Sequence, residues 1–151
     1  MIIKRTNDHE LIRRIWIHPE IYTLTIDDGC PKDPQNLIMP DLTNSYCLIG
    51  VENPDIIGLF VFIPFNHCTV IGHMMVLPEH RGDISRRAGL SAMNWIKENT
   101  KYTKIIGFTP DCNVAALRYI EKLGFKQEGC LSKSYLRDGK YHNQIISALS
   151  L

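Results

Sequence analysis

The stretch from Val70 to Trp95 constrains the fold of this chain more than any other part of its sequence. An apolar run rich in β-branched residues leads through Pro78 and Gly82 directly into a segment whose apolar residues have helical spacing. This order predicts a strand, a tight turn and the N-terminus of a helix.

Such a helix N-terminus can bind an anion, because its first backbone N–H groups have no partners within the helix and carry the positive end of the helix dipole. Arg81, Arg86 and Arg87 place three cationic side chains at the same junction. We therefore interpret the junction as a phosphate site. A purely structural interpretation stays open, because arginines in the first turns of a helix usually face solvent.

The composition of the 151 residues is that of an ordinary globular protein, with 44% hydrophobic and 22% charged side chains. We expect a single domain over residues 1–151 with one core. The 17 basic and 16 acidic side chains leave a net charge of +1, which offers no general basic surface for nucleic acid. The apolar runs are shorter than a membrane span and the N-terminus has no signal-peptide pattern, so neither membrane insertion nor export is expected.

The cysteines are interpreted as reduced thiols of a cytoplasmic protein. Their odd number, wide spacing and lack of a Cys-x-x-Cys pair argue against a disulfide framework and against zinc, so no metal site is predicted. None is a candidate for covalent catalysis, and Cys112 is expected to be structural. The five residues are Cys30, Cys47, Cys68, Cys112 and Cys130.

Hydrophobic spacing and turn residues predict elements in the order β-α-α-β-β-β-α-β-α-β-β. This order is typical of an α/β (α+β) fold, with a mixed, mainly antiparallel sheet flanked by helices. Strands are predicted over Met1–Arg5, Ser45–Val51, Ile56–Pro64, Cys68–Val76 and Lys104–Thr109, followed by a hairpin over Lys126–Leu151. Helices are predicted over Asp8–Ile17, from Pro19 to near Gly29, from Gly82 to Asn99 and over Val114–Leu123.

Particular residues mark the ends of these elements. Asn7 with Glu10 resembles a capping box for the first helix. Either Asp111 or Asn113 can cap the last helix, and Gly124 ends it. The pair Asp138-Gly139 between two alternating runs is a strong signal for the final hairpin.

Two motifs in this framework carry a family resemblance. The segment Val76–Gly82, VLPEHRG, has an apolar pair, Pro, Glu, an aromatic ring, Arg and Gly at the end of a strand. The segment Asn113–Phe125, NVAALRYIEKLGF, has Asn, a small residue three positions later and a closing Glu-Lys-Leu-Gly-Phe. Together with the order of elements, they resemble the GNAT family, the Gcn5-related N-acetyltransferases, over essentially the whole chain.

The resemblance implies a GNAT-like fold and direct transfer of the acetyl group of acetyl-CoA to a primary amine, without a covalent enzyme intermediate. In the family, the turn wraps the pyrophosphate, and the strand edge, here Met74 to Leu77, pairs with the pantetheine arm as an added strand would. The residues at the matching positions are Met75, Val76 and Leu77 on the strand, Arg81, Gly82, Asp83, Ile84, Ser85, Arg86 and Arg87 in the turn, and Asn113 beside the arm.

The sequence departs from the family pattern at three positions. Ile84 and Arg86 stand where the pyrophosphate loop has small residues, and glycine there lets the backbone approach the phosphates. Ala88-Gly89, further along, are available for close packing. The family's proton-donating tyrosine stands one position later in the sequence than Tyr119. We therefore interpret Tyr119 either as the general acid or as a packing residue.

Acetyl transfer requires a base for the amine, a polarised thioester oxygen and a proton for the leaving thiolate. The resemblance implies that a backbone N–H near Val76 donates a hydrogen bond to the thioester oxygen. His73 is predicted as the base, because it shares a strand face with Ile71, where many relatives carry a glutamate, and imidazole titrates in the right range. A structural role for His73 stays open, and bulk water is an alternative base.

Asp27 and Asp28 follow the second helix and can attract a cationic amine, although adjacent carboxylates are more often only solvated. The sequence does not determine the oligomeric state, and a homodimer is considered only because dimers are common in similar proteins. The competing hypothesis is a non-catalytic GNAT-fold binding or phage assembly protein, because Trp16–Gly29 weakly resembles compact bacteriophage members. Ile84 and Arg86 are the residues that distinguish the two hypotheses.

Overall fold

A seven-stranded sheet with helices on both faces forms the protein in the computed structural model, which describes all 151 residues. The predicted order of elements is confirmed. The strands are β1 (Ile2–Arg5), β2 (Tyr46–Glu52), β3 (Asp55–Pro64), β4 (Thr69–Val76), β5 (Lys104–Pro110), β6 (Lys126–Arg137) and β7 (Lys140–Ser150). The helices are α1 (His9–Trp16), α2 (Pro19–Thr25), α3 (Asp83–Asn99) and α4 (Val114–Lys122).

The sheet has the strand order β1-β2-β3-β4-β5-β7-β6. Hydrogen bonding is antiparallel between all neighbours except β4 and β5, which are parallel because α3 connects them as a crossover. The predicted meander of β2, β3 and β4 and the hairpin of β6 and β7 are therefore confirmed. The only parallel junction lies in the middle of the sheet.

Apolar side chains on the two faces of the sheet form two separate clusters. On the α1/α2 face, Ile12, Ile15 and Ile21 of the helices pack on strand residues that include Val61 and Met75. On the α3/α4 face, residues of α3 and α4 pack on Leu48, Ile57, Phe60, Phe62, Val70 and Ile105. Each such side chain that becomes fully buried stabilises the fold by about 1.5–3 kcal/mol. The rigid central strands thus hold the parallel junction in place.

Most of the predicted element ends agree with the structure, but α2 ends at Thr25 and not near Gly29, because Ile26 has an extended backbone, and one cap is wrong. The N-cap of α1 is Asp8, whose side chain accepts a hydrogen bond from the Leu11 N–H at 3.0 Å, and not Asn7. Aspartate and asparagine cap about equally well, so a sequence with both residues side by side does not choose between them. The hairpin turn has positive φ at Asp138 (51°) and Gly139 (71°), as a type I′ turn requires.

None of the helices combines the length and the hydrophobicity that crossing a membrane requires.

Candidate active site

The two central parallel strands separate after a short paired region. Hydrogen-bonded pairing joins Thr69–Ile71 of β4 to Lys104–Ile106 of β5 and then stops. Both strands continue, β4 to Val76 and β5 to Pro110. A wedge-shaped gap therefore opens between their C-terminal ends, and the β5-facing edge of β4 has no strand partner there.

Alternation along β4 determines which main-chain groups face this gap. The Leu77 N–H donates to the Ile57 carbonyl of β3 at 3.0 Å, so Leu77 and Met75 direct their main-chain groups toward β3. The groups of Met74 and Val76 face the gap instead. Of the strand edge predicted to contact the cofactor arm, Met74 to Leu77, only Met74 and Val76 have their main-chain groups in this position.

The register of β4 explains why Met75 and Leu77 were predicted together with Val76. A motif identifies a stretch of strand, but only the pairing with β3 fixes which alternate residues point to each side. The Met75 side chain is also turned away, since it packs into the cluster on the α1/α2 face with 4% exposure. Met75 and Leu77 can contact a ligand in the gap only indirectly.

The N-terminus of α3 lies directly after the end of β4 and has unpaired donors. Its N-cap, Gly82, has φ +108° and ψ −139°, a conformation that only glycine adopts readily, and no side chain caps the helix. The N–H groups of residues 82–85 donate no hydrogen bond within the chain. Such N–H groups at the positive end of a helix dipole fit a phosphate.

Two residues of this turn, Ile84 and Ser85, are larger than glycine, and their side chains are accommodated inside the protein. Ile84 packs against the core cluster on the α3/α4 face, away from the exposed side of the turn. Ser85 is 4% exposed, and its Oγ donates to the Gly82 carbonyl at 2.6 Å. The isoleucine at a family glycine position therefore packs into the core, and the N–H groups of the turn keep no hydrogen-bond partner within the chain.

The arginines of the turn all have carboxylate partners. These ion pairs are solvent-exposed, so each contributes little to stability and can exchange partners. The pairs are Arg81 with Glu20 (3.3 Å), Arg87 with Glu52 (3.2 Å) and Asp83 (3.7 Å), and Arg86 with Asp83 (4.0 Å). A phosphate at this turn must compete with carboxylates for the arginine side chains, but not for the backbone donors.

Helices α3 and α4 are in close contact at Gly89. A Cβ at this position would lie 2.6 Å from the Tyr119 hydroxyl oxygen, so a larger residue would push α4 away. The Tyr119 hydroxyl donates to the Ser85 carbonyl at 2.8 Å, and burial raises the pKa of this phenol. Gly89 thus provides close packing against α4 and not around a phosphate, whereas Ala88 lies next to Gly50 of β2 in the core.

Asn113 uses both ends of its side-chain amide within the protein. Its Oδ1 accepts from the Ala116 N–H at 3.2 Å and caps α4, and its Nδ2 donates to the Leu24 carbonyl at the end of α2, also at 3.2 Å. Of the two caps that the sequence allowed for α4, Asn113 is the one formed. Asn113 therefore connects the β5 side of the gap to α2.

Helix α2 joins both sides of the gap on the α1/α2 face. Near its start, Glu20 pairs with Arg81, which follows β4, and near its end, Leu24 accepts the hydrogen bond from Asn113, which follows β5. We call α2 with these two contacts the α2 bridge. No local sequence pattern predicts the α2 bridge, because its two contacts join residues that are 61 and 89 positions apart in the chain.

The unpaired carbonyl groups at the C-terminal end of α2 find further partners in the last hairpin. Arg137 Nη2 donates to the Thr23 carbonyl at 2.6 Å, and the Tyr135 hydroxyl donates to the Ile26 carbonyl. Burial, the largest cause, raises the pKa of Tyr135 to about 12, so this phenol stays a donor at neutral pH.

Asp27 and Asp28 take part in local and long-range structure. Both oxygens of Asp28 accept backbone N–H groups of the β6–β7 turn, from Asp138 at 2.8 Å and from Gly139 at 2.9 Å. These bonds lower the pKa of Asp28. Asp27 uses one oxygen, Oδ1, for the Gly29 N–H at 2.9 Å. The expectation that both carboxylates are merely solvated is therefore wrong for Asp28, which is an anchor.

His73 lies on β4 with its side chain on the α1/α2 face, opposite Val61 of β3. Its ring centroid is 6.1 Å from that of Trp16 at the end of α1. Solvent reaches the imidazole, but the surrounding protein removes part of its hydration, which lowers the pKa of His73 below the ordinary value of 6.5. At neutral pH the ring is therefore uncharged and can accept a proton.

Comparisons with known proteins identify the family and the fold of this chain. The sequence profile of the acetyltransferase (GNAT) family matches residues 15–125. A comparison with curated protein sequences gives no significant match.

Several solved structures share the fold. The spermidine N-acetyltransferase from Vibrio cholerae, in complex with CoA and spermine, has a TM-score of 0.77 at 18% identity, with 99% of this chain and 94% of that chain covered. The structure of yncA from Salmonella typhimurium with its cofactor acetyl-CoA has a TM-score of 0.75 at 20% identity, covering 100% and 94%. The ribosomal-protein-alanine N-acetyltransferase from Brucella melitensis has a TM-score of 0.73 at 16% identity, covering 100% of both chains.

The family profile covers most of the chain, and the fold of the structural neighbours matches over its whole length. The resemblance inferred from the two motifs is confirmed. This chain belongs to the acetyltransferase (GNAT) family, whose enzymes transfer an acetyl group from acetyl-CoA to an amine.

Proposed function

We propose that acetyl-CoA binds in the gap between β4 and β5 and that its acetyl group is transferred there to a primary amine. The observation that carries this proposal is the early end of the β4–β5 pairing, which leaves main-chain groups of Met74 and Val76 unpaired next to the uncapped N-terminus of α3. An extended, amide-bearing pantetheine arm can pair with such an edge. The pyrophosphate of the cofactor then accepts hydrogen bonds from the free N–H groups of residues 82–85.

His73 is the proposed general base. Its uncharged imidazole lies on the α1/α2 face, whereas α3 and α4 cover the opposite face, so the amine and the cofactor approach from opposite sides of the sheet. The imidazole takes the proton of the incoming ammonium group, and the neutral amine becomes the nucleophile. Bound acetyl-CoA supplies a thioester, whose C–S bond is replaced by a C–N bond to the amine.

Main-chain groups of β4 supply the electrostatic part of the mechanism. The N–H groups of Met74 and Val76 point into the gap and are fixed by the pairing of β4 with β3. Donors that are held in place before the reaction stabilise negative charge on the thioester oxygen without reorganisation. This contribution needs no particular side chain, which explains how the site works with few of the family's polar residues.

We assign Tyr119 a positioning role. Its hydroxyl proton is already donated to the Ser85 carbonyl, and its raised pKa makes it a weak acid for the leaving thiolate. Through this bond Tyr119 holds α4 against the first turn of α3, where the pyrophosphate binds. The thiolate then takes its proton from solvent.

The acceptor is a primary amine that enters beside the α2 bridge. Asp27 Oδ2 has no partner within the chain, so this oxygen is available to an ammonium group on the acceptor. Asp28 acts indirectly, because its hydrogen bonds hold the segment after α2 on the β6–β7 turn.

A homodimer and a cytoplasmic location remain predictions. Sedimentation of the purified protein tests whether it forms a dimer.

Titration of the purified protein with acetyl-CoA tests the cofactor site. Binding is expected to release or absorb heat and to raise the melting temperature, since a ligand at 100 times its Kd stabilises the folded state by about 2.7 kcal/mol. The absence of both signals at saturating cofactor concentration would contradict the proposal and favour a non-catalytic binding module. Spermidine and ribosomal-protein alanine, which the names of two structural neighbours mention, are suitable first acceptors.

His73→Gln tests the base. This variant is expected to lower kcat by about 100-fold, the usual contribution of a general base, without changing the Kd of acetyl-CoA. His67→Gln is the matched control, because His67 is an exposed imidazole in the turn before β4, at the opposite end of the strand. Equal activity of the two variants would remove His73 from the mechanism.

The pH profile gives an independent test of His73. Because the folded protein lowers the pKa of His73 below 6.5, the imidazole is deprotonated at pH 7 and becomes protonated only in more acidic solution. The acid limb of kcat/KM is therefore expected below pH 6.5, with a plateau above it. An acid limb centred above pH 6.5 would contradict the assignment.

A further inference from the structure

Asp111, Cys112 and His142 lie together beyond the end of β5, and no step of the proposed reaction uses them. Asp111 and Cys112 begin the loop between β5 and α4, and His142 lies on β7, the strand that pairs with β5. A carboxylate oxygen, a sulfur atom and an imidazole nitrogen of these residues all lie within 4.8 Å of one another. This donor set is one that zinc and similar transition metals bind.

The spacing of these atoms suits tetrahedral coordination. In a tetrahedral site with bonds of about 2.0–2.3 Å, neighbouring ligand atoms are about 3.3–3.7 Å apart. His142 Nδ1 and Asp111 Oδ1 are 3.2 Å apart, so one edge of the tetrahedron is already formed. Cys112 is exposed, and its sulfur atom lies within 4.8 Å of both of these atoms, which leaves it free to move to the third position.

The carboxylate is held in its orientation from behind. Asp111 Oδ2 accepts the Asn143 N–H at 3.3 Å, and the Asp111 N–H donates to the Asn143 carbonyl at 2.9 Å. Hydrogen bonds of this kind to a ligand orient it and support metal binding. The side chains of Asp111 and His142 keep 38% and 25% exposure, which leaves a path for an ion from solvent.

We propose that Asp111, Cys112 and His142 bind one Zn²⁺ or a similar divalent transition metal ion, with water as the fourth ligand. The carboxylate and the thiolate balance the charge of the ion, and the thiol proton is released to solvent on binding. The bound ion fastens the β5–α4 loop to β7. Since Asn113 is the next residue of this loop, the ion also fixes one end of the α2 bridge.

The proposed site departs from the expectation, drawn from the spacing of the cysteines, that the chain has no metal centre. Zinc motifs are recognised in a sequence when two ligands lie close together in each of two pairs. Here the histidine is separated from Asp111 by 31 positions and arrives through the pairing of β5 with β7. Only the fold brings the three ligands together.

Co²⁺ titration of the full-length protein, after treatment with a chelator, tests the proposal. Thiolate ligation is expected to give a near-ultraviolet charge-transfer band together with the intense visible bands of tetrahedral Co²⁺, and Zn²⁺ is expected to displace both. Cys112→Ser is expected to remove the charge-transfer band and to weaken binding by about tenfold or more, since even changes to outer-shell groups have effects of that size.

Cys130→Ser is the matched control, because Cys130 is an exposed cysteine on the neighbouring strand β6. This variant is expected to bind Co²⁺ like the unmodified chain, whereas His142→Gln is expected to bind it as weakly as Cys112→Ser. A Co²⁺ spectrum without a charge-transfer band, or the same band in both cysteine variants, would overturn the proposal. These readouts do not depend on acetyl transfer, so they fail or succeed independently of the proposed enzymatic function.

Discussion

Helices α3 and α4 begin at equivalent places but have different N-termini. Each follows a strand that borders the gap, and each is preceded by a tight turn. Gly82 gives α3 no side-chain cap, whereas the Asn113 side chain caps α4. A cap and a bound anion are alternative partners for the same N–H groups, so the uncapped helix is the one prepared to bind a ligand.

The charges near the two N-termini differ as well. At α3, Asp83 and the arginines form exposed ion pairs around the free N–H groups. At α4, no acidic residue lies in the first turn, and the capping amide is neutral. Of the two sites, only that at α3 can exchange its own carboxylates for the phosphates of a ligand.

Gly82→Ala is expected to have the largest effect on this difference. Alanine is strained at φ +108° and ψ −139°, at a cost of about 1–3 kcal/mol, and relief of this strain reorients the free N–H groups. Because 1.4 kcal/mol corresponds to a tenfold change, the Kd of acetyl-CoA is expected to rise by about 10- to 100-fold, measured by calorimetry.

Gly139→Ala provides the control for strain alone, because Gly139 also has positive φ (71°) but lies in the β6–β7 turn. This variant is expected to lower the melting temperature and to keep the affinity for acetyl-CoA. A similar loss of affinity in both variants would show that the α3 N-terminus has no special function.

Asn113→Ala is expected to affect the α2 bridge and not the cofactor. Loss of a cap lowers the free energy of unfolding by about 0.5–2 kcal/mol, and loss of the hydrogen bond to Leu24 frees the end of α2. We therefore expect a higher KM for the acceptor amine and an unchanged Kd for acetyl-CoA. Asp8→Ala removes the cap of α1 without a contact to α2, so its KM should stay normal. A weaker affinity for acetyl-CoA in Asn113→Ala would instead place Asn113 on the cofactor arm.

Tyr119→Phe distinguishes a positioning residue from a general acid. Loss of the hydrogen bond to Ser85 is expected to lower the free energy of unfolding by about 1 kcal/mol and to leave kcat nearly unchanged. Denaturant unfolding and steady-state kinetics measure the two quantities. Tyr141→Phe, at an exposed tyrosine, is the control that should change neither. A fall in kcat of about 100-fold would identify Tyr119 as the proton donor.

Asp83→Asn is expected to have the smallest effect. It should slightly raise the affinity for acetyl-CoA and slightly lower the stability of the fold. Removing the carboxylate relieves repulsion of the phosphates, so acetyl-CoA should bind slightly more tightly. It also removes a favourable charge from the N-terminus of α3, which contributes about 0.3–1 kcal/mol to stability. Glu98→Gln, at the other end of α3, is the control and should leave the affinity for acetyl-CoA unchanged. Weaker binding of acetyl-CoA by Asp83→Asn would show that the Asp83 carboxylate does not compete with the phosphates.

The sequence predicts those features of the site that depend on local chemistry. Gly82 after Pro78 predicts the turn, and Asp138-Gly139 predicts the hairpin, because each requires a backbone conformation that few residues adopt. The element order follows from hydrophobic spacing in the same way. Alternation of side chains along the strand predicts that His73 and Ile71 share a face of the sheet. In the structure, this is the α1/α2 face.

Features that depend on distant residues could not be predicted. Glu20 and Glu52 become the partners of Arg81 and Arg87 only through the packing of α2 and the end of β2 near α3. In the same way, the register with β3 decides that Met74 and not Met75 faces the gap. Surface charges select their partners after the backbone is fixed, so a single sequence carries little information about them.

The α2 bridge has a consequence for the size of the acceptor. Its two contacts, at Glu20 and Leu24, are four residues apart, which is about 6 Å along a helix axis. When both contacts are formed, this distance sets the separation between the ends of β4 and β5, and the exposed Arg81–Glu20 pair lets that separation change when Arg81 exchanges partners. A chain with an additional turn in this helix would hold the same two strands further apart and admit a bulkier amine between them.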